Sequence, residues 1–305
     1  MIKTPIQKYL ILIYFLLCIL LFPRPIDANE HPTQRIISTS PSITEILFEL
    51  GLEDRVVAVT DFCKYPAKAC KLPSIGGMIN PNMETIIALK PDLIIHQSGN
   101  QRIAKNAKSL RIPALKVDVG KIEGILSSIK KIGSELNCPQ SAKKLIQRLN
   151  EKITYYKERL KSLPKKRVLL LLGDSSHPSR DLYAVGSGTF LDELLNLAGG
   201  ENIVKNSPAR YPKLSKEFII KKSPEIIIEA GPKSNLPQNE IDNRIEEWNR
   251  FPTIQAVKDK NIHFIGEDYI LIPGPRLVKI LENFFQVIHP DLFGIKTAIQ
   301  EPHKL

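Results

Sequence analysis

The sequence lacks the short motifs that mark most enzymes and metal sites. Its 305 residues contain no G-x-S-x-G turn, no H-E-x-x-H and no C-x-x-C. The glycines of "VGSGTF" do not have the G-x-G-x-x-G spacing of a dinucleotide site. The ends of the predicted strands also carry no paired carboxylates suited to acid–base chemistry. We therefore predict a binding protein with no catalytic residue, catalytic cofactor or bound metal, and keep an exported hydrolase as an alternative.

Long apolar runs are also scarce, and the longest lies at the N-terminus. Two lysines precede the stretch from Tyr9 to Phe22, which at roughly 14 residues is short for a membrane span of about 20. A basic start, a short apolar region and a small residue at Ala28 are typical of a secretory signal peptide. We predict a signal peptide over 1–28, cleaved near Ala28, and export to the periplasm. A retained membrane anchor is the alternative.

Positive charge exceeds negative charge, but it is not clustered. The formal net charge of +11 would suit a nucleic acid or an anionic membrane as partner. The lysines are scattered along the chain, however, and aromatic residues do not alternate with them. We therefore predict that the protein binds no nucleic acid.

Cysteine is rare, and export gives the few cysteines a specific meaning. Without the signal peptide the chain keeps Cys63, Cys70 and Cys138. In an oxidising compartment the segment "CKYPAKAC" can close a small loop, so we predict a disulfide between Cys63 and Cys70. A zinc site is the weaker alternative, because no second pair of Cys or His residues stands at ligand spacing.

One pattern occurs twice, as "METIIALKPDLII" (83–95) and "KEFIIKKSPEIII" (216–228). In each copy a glutamate near a helix start is followed by a proline and then by an apolar run. Asn82 and Ser215 precede the two glutamates as candidate N-cap residues. The proline ends the helix, and the apolar run predicts a buried strand of a parallel sheet. Two copies so far apart predict two similar α/β lobes.

The segments around the repeats alternate between predicted strands and helices. They predict an N-terminal lobe over 35–136 and a C-terminal lobe over 166–290, both α/β with mostly parallel sheets and Rossmann-like. Between them, residues 138–164 follow helical spacing and predict one long bridging helix; an ordinary amphipathic core helix is the alternative. In the first lobe, Ser42 and Glu45 have the spacing of a capping box.

Six blocks of the chain together resemble a known family. They are "RIISTSPSITEILFELG", "VAVTDFCKYP", "LPSIGGMINPNMETIIALKPDLII", "LYAVGSGTFLDELLNLAGGENI", "YPKLSKEFIIKKSPEIII" and "GPRL". In this order they resemble the periplasmic substrate-binding proteins of ABC importers for iron complexes and cobalamin, over about 35–290. The resemblance implies a class III periplasmic binding protein: a monomer, not an enzyme, that captures cobalamin or a related corrinoid between its lobes. A haem or ferric-siderophore carrier of the same fold is the alternative.

The resemblance also implies which residues make contacts. In this family a glutamate on each lobe docks onto arginines of the two permease subunits, and by position these are Glu84 and Glu217. The alternative is that each glutamate only complements the dipole of its helix.

For the ligand, Phe62 stands where cobalamin binders of the family have an aromatic residue. Met78, Gln97 and Tyr211 stand where a relative has tryptophans that pack against the corrin. The loop implied to line the cleft in the second lobe comprises Asp268, Tyr269, Ile270, Leu271 and Ile272. Trp248, the only tryptophan, is expected to lie away from the cleft.

Overall fold

A computed structural model describes residues 35–173, 182–233 and 236–293. The strands are β1 (Ile36–Ser38), β2 (Val56–Ala58), β3 (Leu93–Gln97), β4 (Ala114–Val117), β5 (Lys166–Leu172), β6 (Leu182–Tyr183), β7 (Gly200–Asn202), β8 (Lys213–Leu214), β9 (Ile226–Gly231) and β10 (Ile262–Gly266). The helices are α1 (Pro41–Glu49), α2 (Met83–Ala88), α3 (Gln101–Ser109), α4 (Ile122–Glu135), α5 (Pro139–Leu160), α6 (Phe190–Leu197), α7 (Lys216–Lys222), α8 (Gln238–Asn249), α9 (Gln255–Lys258), α10 (Leu277–Ile288) and α11 (Pro290–Phe293).

Two parallel sheets of four strands form two lobes of the same topology. The N-terminal sheet has the order β2-β1-β3-β4 and the C-terminal sheet the order β7-β5-β9-β10. In each lobe the first strand lies between the second and the third, and the fourth strand is at the edge. β6 and β8 form a small antiparallel ribbon beside the second sheet. The prediction of an α/β fold with two similar lobes is confirmed.

The repeated segment occupies the same place in both lobes, as the helix before the third strand and that strand itself. The side chain of Asn82 accepts a hydrogen bond from the N–H of Thr85 at the start of α2, as Ser215 does from Phe218 at the start of α7. After each helix, the residue before the proline has a left-handed backbone, with φ of 46° at Lys90 and 39° at Ser223. The match therefore extends from sequence to backbone conformation.

The long helix α5 packs on both lobes. It has 22 residues, a length of about 33 Å. Near its start, Ala142 lies very close to Gly133 of α4. A Cβ added to Gly133 would lie 2.4 Å from the Cβ of Ala142. Near its end, the ring of Tyr156 lies 5.0 Å from that of Phe285 in α10. One apolar core cluster runs from the first lobe through α5 into the second, so the helix forms part of a shared core as well as a bridge.

The predicted capping box at the start of α1 is wrong. The helix begins at Pro41 with Ser40 at the N-cap position, and no side chain caps it. Ser42 and Glu45 both lie inside the helix, and the carboxylate of Glu45 bonds to a residue of the other lobe. A long-range partner has replaced the local one.

The predicted disulfide is not formed, because the two thiols point to different surroundings. Cys63 is buried, and its sulfur lies 3.2 Å from the hydroxyl oxygens of Thr44 and Thr60. Cys70 is exposed, and its thiol donates to the carbonyl oxygen of Lys64 at 3.2 Å. The inward direction of the Cys63 side chain is set by packing against α1, which the spacing of the cysteines does not reveal.

Within the described ranges, none of the helices combines the length and the apolar character that a membrane crossing needs. The predicted signal peptide, 1–28, lies outside those ranges.

Candidate functional site

A cavity of about 330 Å³ lies between the two lobes. The segments that form it follow the carboxyl ends of the parallel strands, where open α/β sheets bind their ligands. The first lobe contributes the start of α1, the loop after β2 and the end of β3, and the second contributes the loops after β9 and β10. The lining residues are Pro41, Ser42, Phe62, Lys64, Tyr65, Met78, Gln97, Pro232, Asp268, Leu271, Ile272, Pro273 and Arg276. This is the position expected for a ligand shared by both lobes.

Apolar side chains from the two lobes form much of the wall. Phe62 is 58 % exposed, although a large aromatic side chain is more stable when it is covered. Met78 of the same lobe and Leu271 and Ile272 of the other line the same cavity and are half-buried. A flat apolar ligand can therefore contact both lobes at once.

An ion-pair network connects the lobes, and two of its members, Asp268 and Arg276, line the cavity. Arg276, at the start of α10, donates from Nη2 to Glu45 Oε1 at 2.7 Å and from Nε to Glu45 Oε2 at 3.0 Å. Its Nη1 donates to both carboxylate oxygens of Asp268, at 2.8 and 2.9 Å. The guanidinium also lies 4.0 Å from the centre of the Tyr65 ring. Glu45 comes from the first lobe and Arg276 from the second, so the network fixes one lobe against the other.

Burial and charge act in opposite directions on this network. Burial raises the pKa of Glu45, and the hydrogen bond and charge of Arg276 only partly oppose it. For Arg276, burial alone would lower the pKa, but the hydrogen bonds and charges of Glu45 and Asp268 raise it above its ordinary value. Two carboxylates thus offset the guanidinium of Arg276, and Lys64 is the other cation among the residues that line the cavity.

A second cavity, of about 520 Å³, adjoins the first on the N-terminal lobe. Its lining residues are Thr39, Ser40, Met78, Ile79, Asn80, Gln97, Gly99, Asn100, Gln101 and Arg102. Met78 and Gln97 line both cavities. The side-chain amide of Gln97 donates to the hydroxyls of Ser40 at 3.1 Å and Ser42 at 3.0 Å. These bonds hold Gln97 where the two cavities meet.

Six of the nine predicted ligand residues line the interlobe cavity: Phe62, Met78, Gln97, Asp268, Leu271 and Ile272. The other three, Tyr211, Tyr269 and Ile270, do not. Ile270 is fully buried at 0 % exposure, and its ligand contact stays a prediction. In this turn the N–H groups of Ile270 and Ile272 bond back to the carbonyl oxygens of Glu267 and Tyr269. Tyr269 and Ile270 pack on the core, while Leu271 and Ile272 line the cavity.

The two tyrosines outside the lining have different surroundings. Tyr269 packs on the core, and its hydroxyl accepts a hydrogen bond from Asn283 at 3.1 Å. Burial raises the pKa of its phenol. Tyr211 is 43 % exposed on the segment before β8. A ligand role for either remains a prediction.

The prediction did not include the other seven residues that line the cavity, which are Pro41, Ser42, Lys64, Tyr65, Pro232, Pro273 and Arg276. It also missed the pairing of Arg276 with Glu45. Arg276 lies in the block "GPRL". This block contributed to the family resemblance, but it did not indicate what the arginine binds. Trp248, as predicted, lies away from the cavity; it is 3 % exposed, and its indole N–H donates to Glu229 at 2.8 Å.

Glu84 and Glu217 lie at the starts of α2 and α7, are exposed and line neither cavity. The backbone N–H of Glu217 and the hydroxyl of Ser215 bond to its carboxylate and lower its pKa. On each helix an isoleucine three positions later is also exposed, Ile87 at 49 % and Ile220 at 40 %. Each helix therefore presents a carboxylate beside an uncovered apolar side chain.

A family model and a curated relative both match this chain over most of its length. The family model described as "Periplasmic binding protein" matches residues 36–269. An ABC transporter substrate-binding lipoprotein of Bacillus subtilis (strain 168), described as uncharacterised, is 30 % identical over 285 residues, covering 89 % of this chain and 87 % of its own.

The relatives whose names state a ligand do not all bind the same one. A vitamin B12-binding protein of Yersinia pestis (strain Pestoides F) is 28 % identical over 289 residues, covering 94 % of this chain and 95 % of its own. Among solved structures, a periplasmic heme-binding protein of Pseudomonas aeruginosa superposes with a TM-score of 0.71 at 25 % identity, covering 85 % of this chain and 93 % of its own. The fold and the transport role are therefore shared, while the ligand is not.

Proposed function

The chain belongs to the periplasmic binding protein family, whose members serve ABC importers and are not enzymes, and we propose that its ligand is cobalamin or a related corrinoid. The observation that carries this proposal is the interlobe cavity. It combines an exposed aromatic ring, Phe62, with hydroxyl and amide groups, and of its two cations, Lys64 and Arg276, the buried Arg276 is offset by two carboxylates. A corrinoid has a flat macrocycle and a rim of uncharged amides, which suits apolar contact across the ring and hydrogen bonding at its edge.

A haem carrier is the second candidate, and one residue favours it. Tyr65 lines the cavity, is 37 % exposed and has the Arg276 guanidinium above its ring. A tyrosine oxygen is a known axial ligand of haem iron. A ferric siderophore is a third possibility on the same fold, without a residue that specifically favours it.

Calorimetry of the mature protein against cyanocobalamin, dicyanocobinamide, haemin and a ferric siderophore distinguishes these candidates. We expect micromolar or tighter binding of at least one of the two corrinoids, and binding of haemin at least a hundredfold weaker. Preferential binding of haemin, with a spectrum that changes in a Tyr65→Phe variant, would replace the corrinoid proposal by the haem proposal.

Phe62 provides a test of where the ligand lies. Replacement by alanine removes an aromatic contact that the ligand would cover, so Phe62→Ala should weaken corrinoid binding at least tenfold, about 1.4 kcal/mol. Tyr183→Ala is the matched control, because Tyr183 is also an exposed aromatic, at 47 %, but lies on β6 outside both cavities. Equal affinity of the Phe62 variant and the wild type would contradict this position of the ligand.

Delivery of the ligand needs a surface that the membrane permease recognises. We propose that α2 and α7 form this surface, with Glu84 and Glu217 docking onto the two permease subunits. The same topological position in two similar lobes supports the proposal, since a permease dimer would meet the same contact twice. The exposed Ile87 and Ile220 lie beside the glutamates and extend the surface. We further propose that the chain acts as a monomer in the periplasm after cleavage near Ala28.

A further inference from the structure

The second cavity, on the N-terminal lobe, has a different character from the interlobe cavity. Six of the ten residues that line it carry amide or hydroxyl side chains, and Arg102 is the one charged residue among them. Met78 and Gln97 line both cavities, so the two cavities lie side by side. A ligand that rests against Phe62 can therefore extend a substituent into it.

Two hydrogen bonds give this cavity a defined shape. The side-chain amide of Asn100 donates to the carbonyl oxygen of Met78 at 2.6 Å, and the Nη1 of Arg102 donates to the Oδ1 of Asn80 at 2.6 Å. Together they fasten the loop 78–80 to the start of α3. The guanidinium of Arg102 is thus held at the wall by a neutral partner.

The two arginines of the site differ in how their charges are balanced. Arg276 is paired with Glu45 and Asp268. Arg102 bonds to an uncharged amide, and no carboxylate in the described part of the chain forms an ion pair with it. A guanidinium with free N–H groups beside amide donors is suited to a phosphate or a carboxylate.

We infer that this second cavity binds an anionic substituent of the transported ligand and that Arg102 supplies the charge. The inference rests on the proposed function, because the ring of the ligand must lie in the interlobe cavity. Two sources share the required chemistry. The nucleotide arm of a complete corrinoid carries a phosphodiester, and haem carries two propionate carboxylates.

Matched ligand pairs test the inference. The first pair is cyanocobalamin and dicyanocobinamide, which lacks the nucleotide arm; the second is haemin and its dimethyl ester, in which the carboxylates are blocked. Calorimetry of the wild type, Arg102→Ala and Lys105→Ala would be done with all four compounds. Lys105→Ala is the control, because it removes the same charge from an exposed position of α3 that lines neither cavity.

One of the two pairs is expected to bind the wild type. In that pair, Arg102→Ala should lower the affinity for the anionic member by about tenfold and change the affinity for the truncated or blocked member by less than twofold. Lys105→Ala should change neither by more than twofold. Loss of affinity for both members alike, or for neither, would overturn the inference and leave the proposed function standing. Failure of every compound to bind the wild type would instead contradict the proposed ligand classes.

Discussion

Glu84→Ala or Glu217→Ala should abolish or strongly reduce ligand uptake and stimulated ATP hydrolysis by the cognate importer reconstituted in liposomes. Each glutamate starts a helix at the same place in its lobe and is exposed there. Truncation of one partner of an interfacial charge pair costs about 2–5 kcal/mol, much of it from the charge left unpaired on the other side. The affinity of the isolated protein for its ligand should stay within twofold, because neither glutamate lines a cavity.

A glutamate outside the repeat separates docking from a general effect of helix charge. Glu123 is also exposed and lies in the first turn of a helix, α4. If Glu84 and Glu217 only complement their helix dipoles, Glu123→Ala should behave as they do. We expect Glu123→Ala to support normal uptake. Normal uptake by either Glu84→Ala or Glu217→Ala, or loss of ligand binding by both in isolation, would refute the docking assignment.

Arg276→Leu should lower the free energy of unfolding by about 3–5 kcal/mol, the cost of leaving a buried charge without its partner. The side chain of Glu45 is only 1 % exposed and lies in the first lobe, while Arg276 is in the second. Its loss should therefore also loosen the contact between the lobes. Guanidinium denaturation followed by circular dichroism measures the change, and hydrogen exchange at α1 and α10 reports on the interlobe contact.

Two comparisons identify the cause of that loss. The double variant Glu45→Leu/Arg276→Leu removes both charges, and it should be more stable than Arg276→Leu alone. Lys205→Met breaks the exposed pair between Lys205 and Glu201, and it should cost less than about 1 kcal/mol. A cost below 1 kcal/mol for Arg276→Leu, or a double variant that is no more stable, would show that the network does not hold the lobes together.

Local chemistry was enough to predict the elements that carry the repeat. The cap residues Asn82 and Ser215 and the prolines that follow each helix act within a few positions of the chain, so the starts of α2 and α7 and the buried strands after them could be predicted. The apolar spacing likewise predicted the bridging helix, although α5 ends at Leu160 and is shorter than expected. Two copies of one helix–strand unit then implied two similar lobes.

The direction and partner of individual side chains depended on the packing of the lobes. Ser42 and Glu45 have the spacing of a capping box, yet Glu45 pairs with Arg276, 231 positions away. A buried carboxylate needs a cation, and only the folded lobes bring one to it. Packing also decides the direction of Cys63, whose sulfur faces the hydroxyls of Thr44 and Thr60 instead of Cys70. In the loop after β10 it places Ile270 in the core and Leu271 and Ile272 at the cavity. Sequence spacing determines which residues are near each other along the chain, whereas burial determines which of them meet across it.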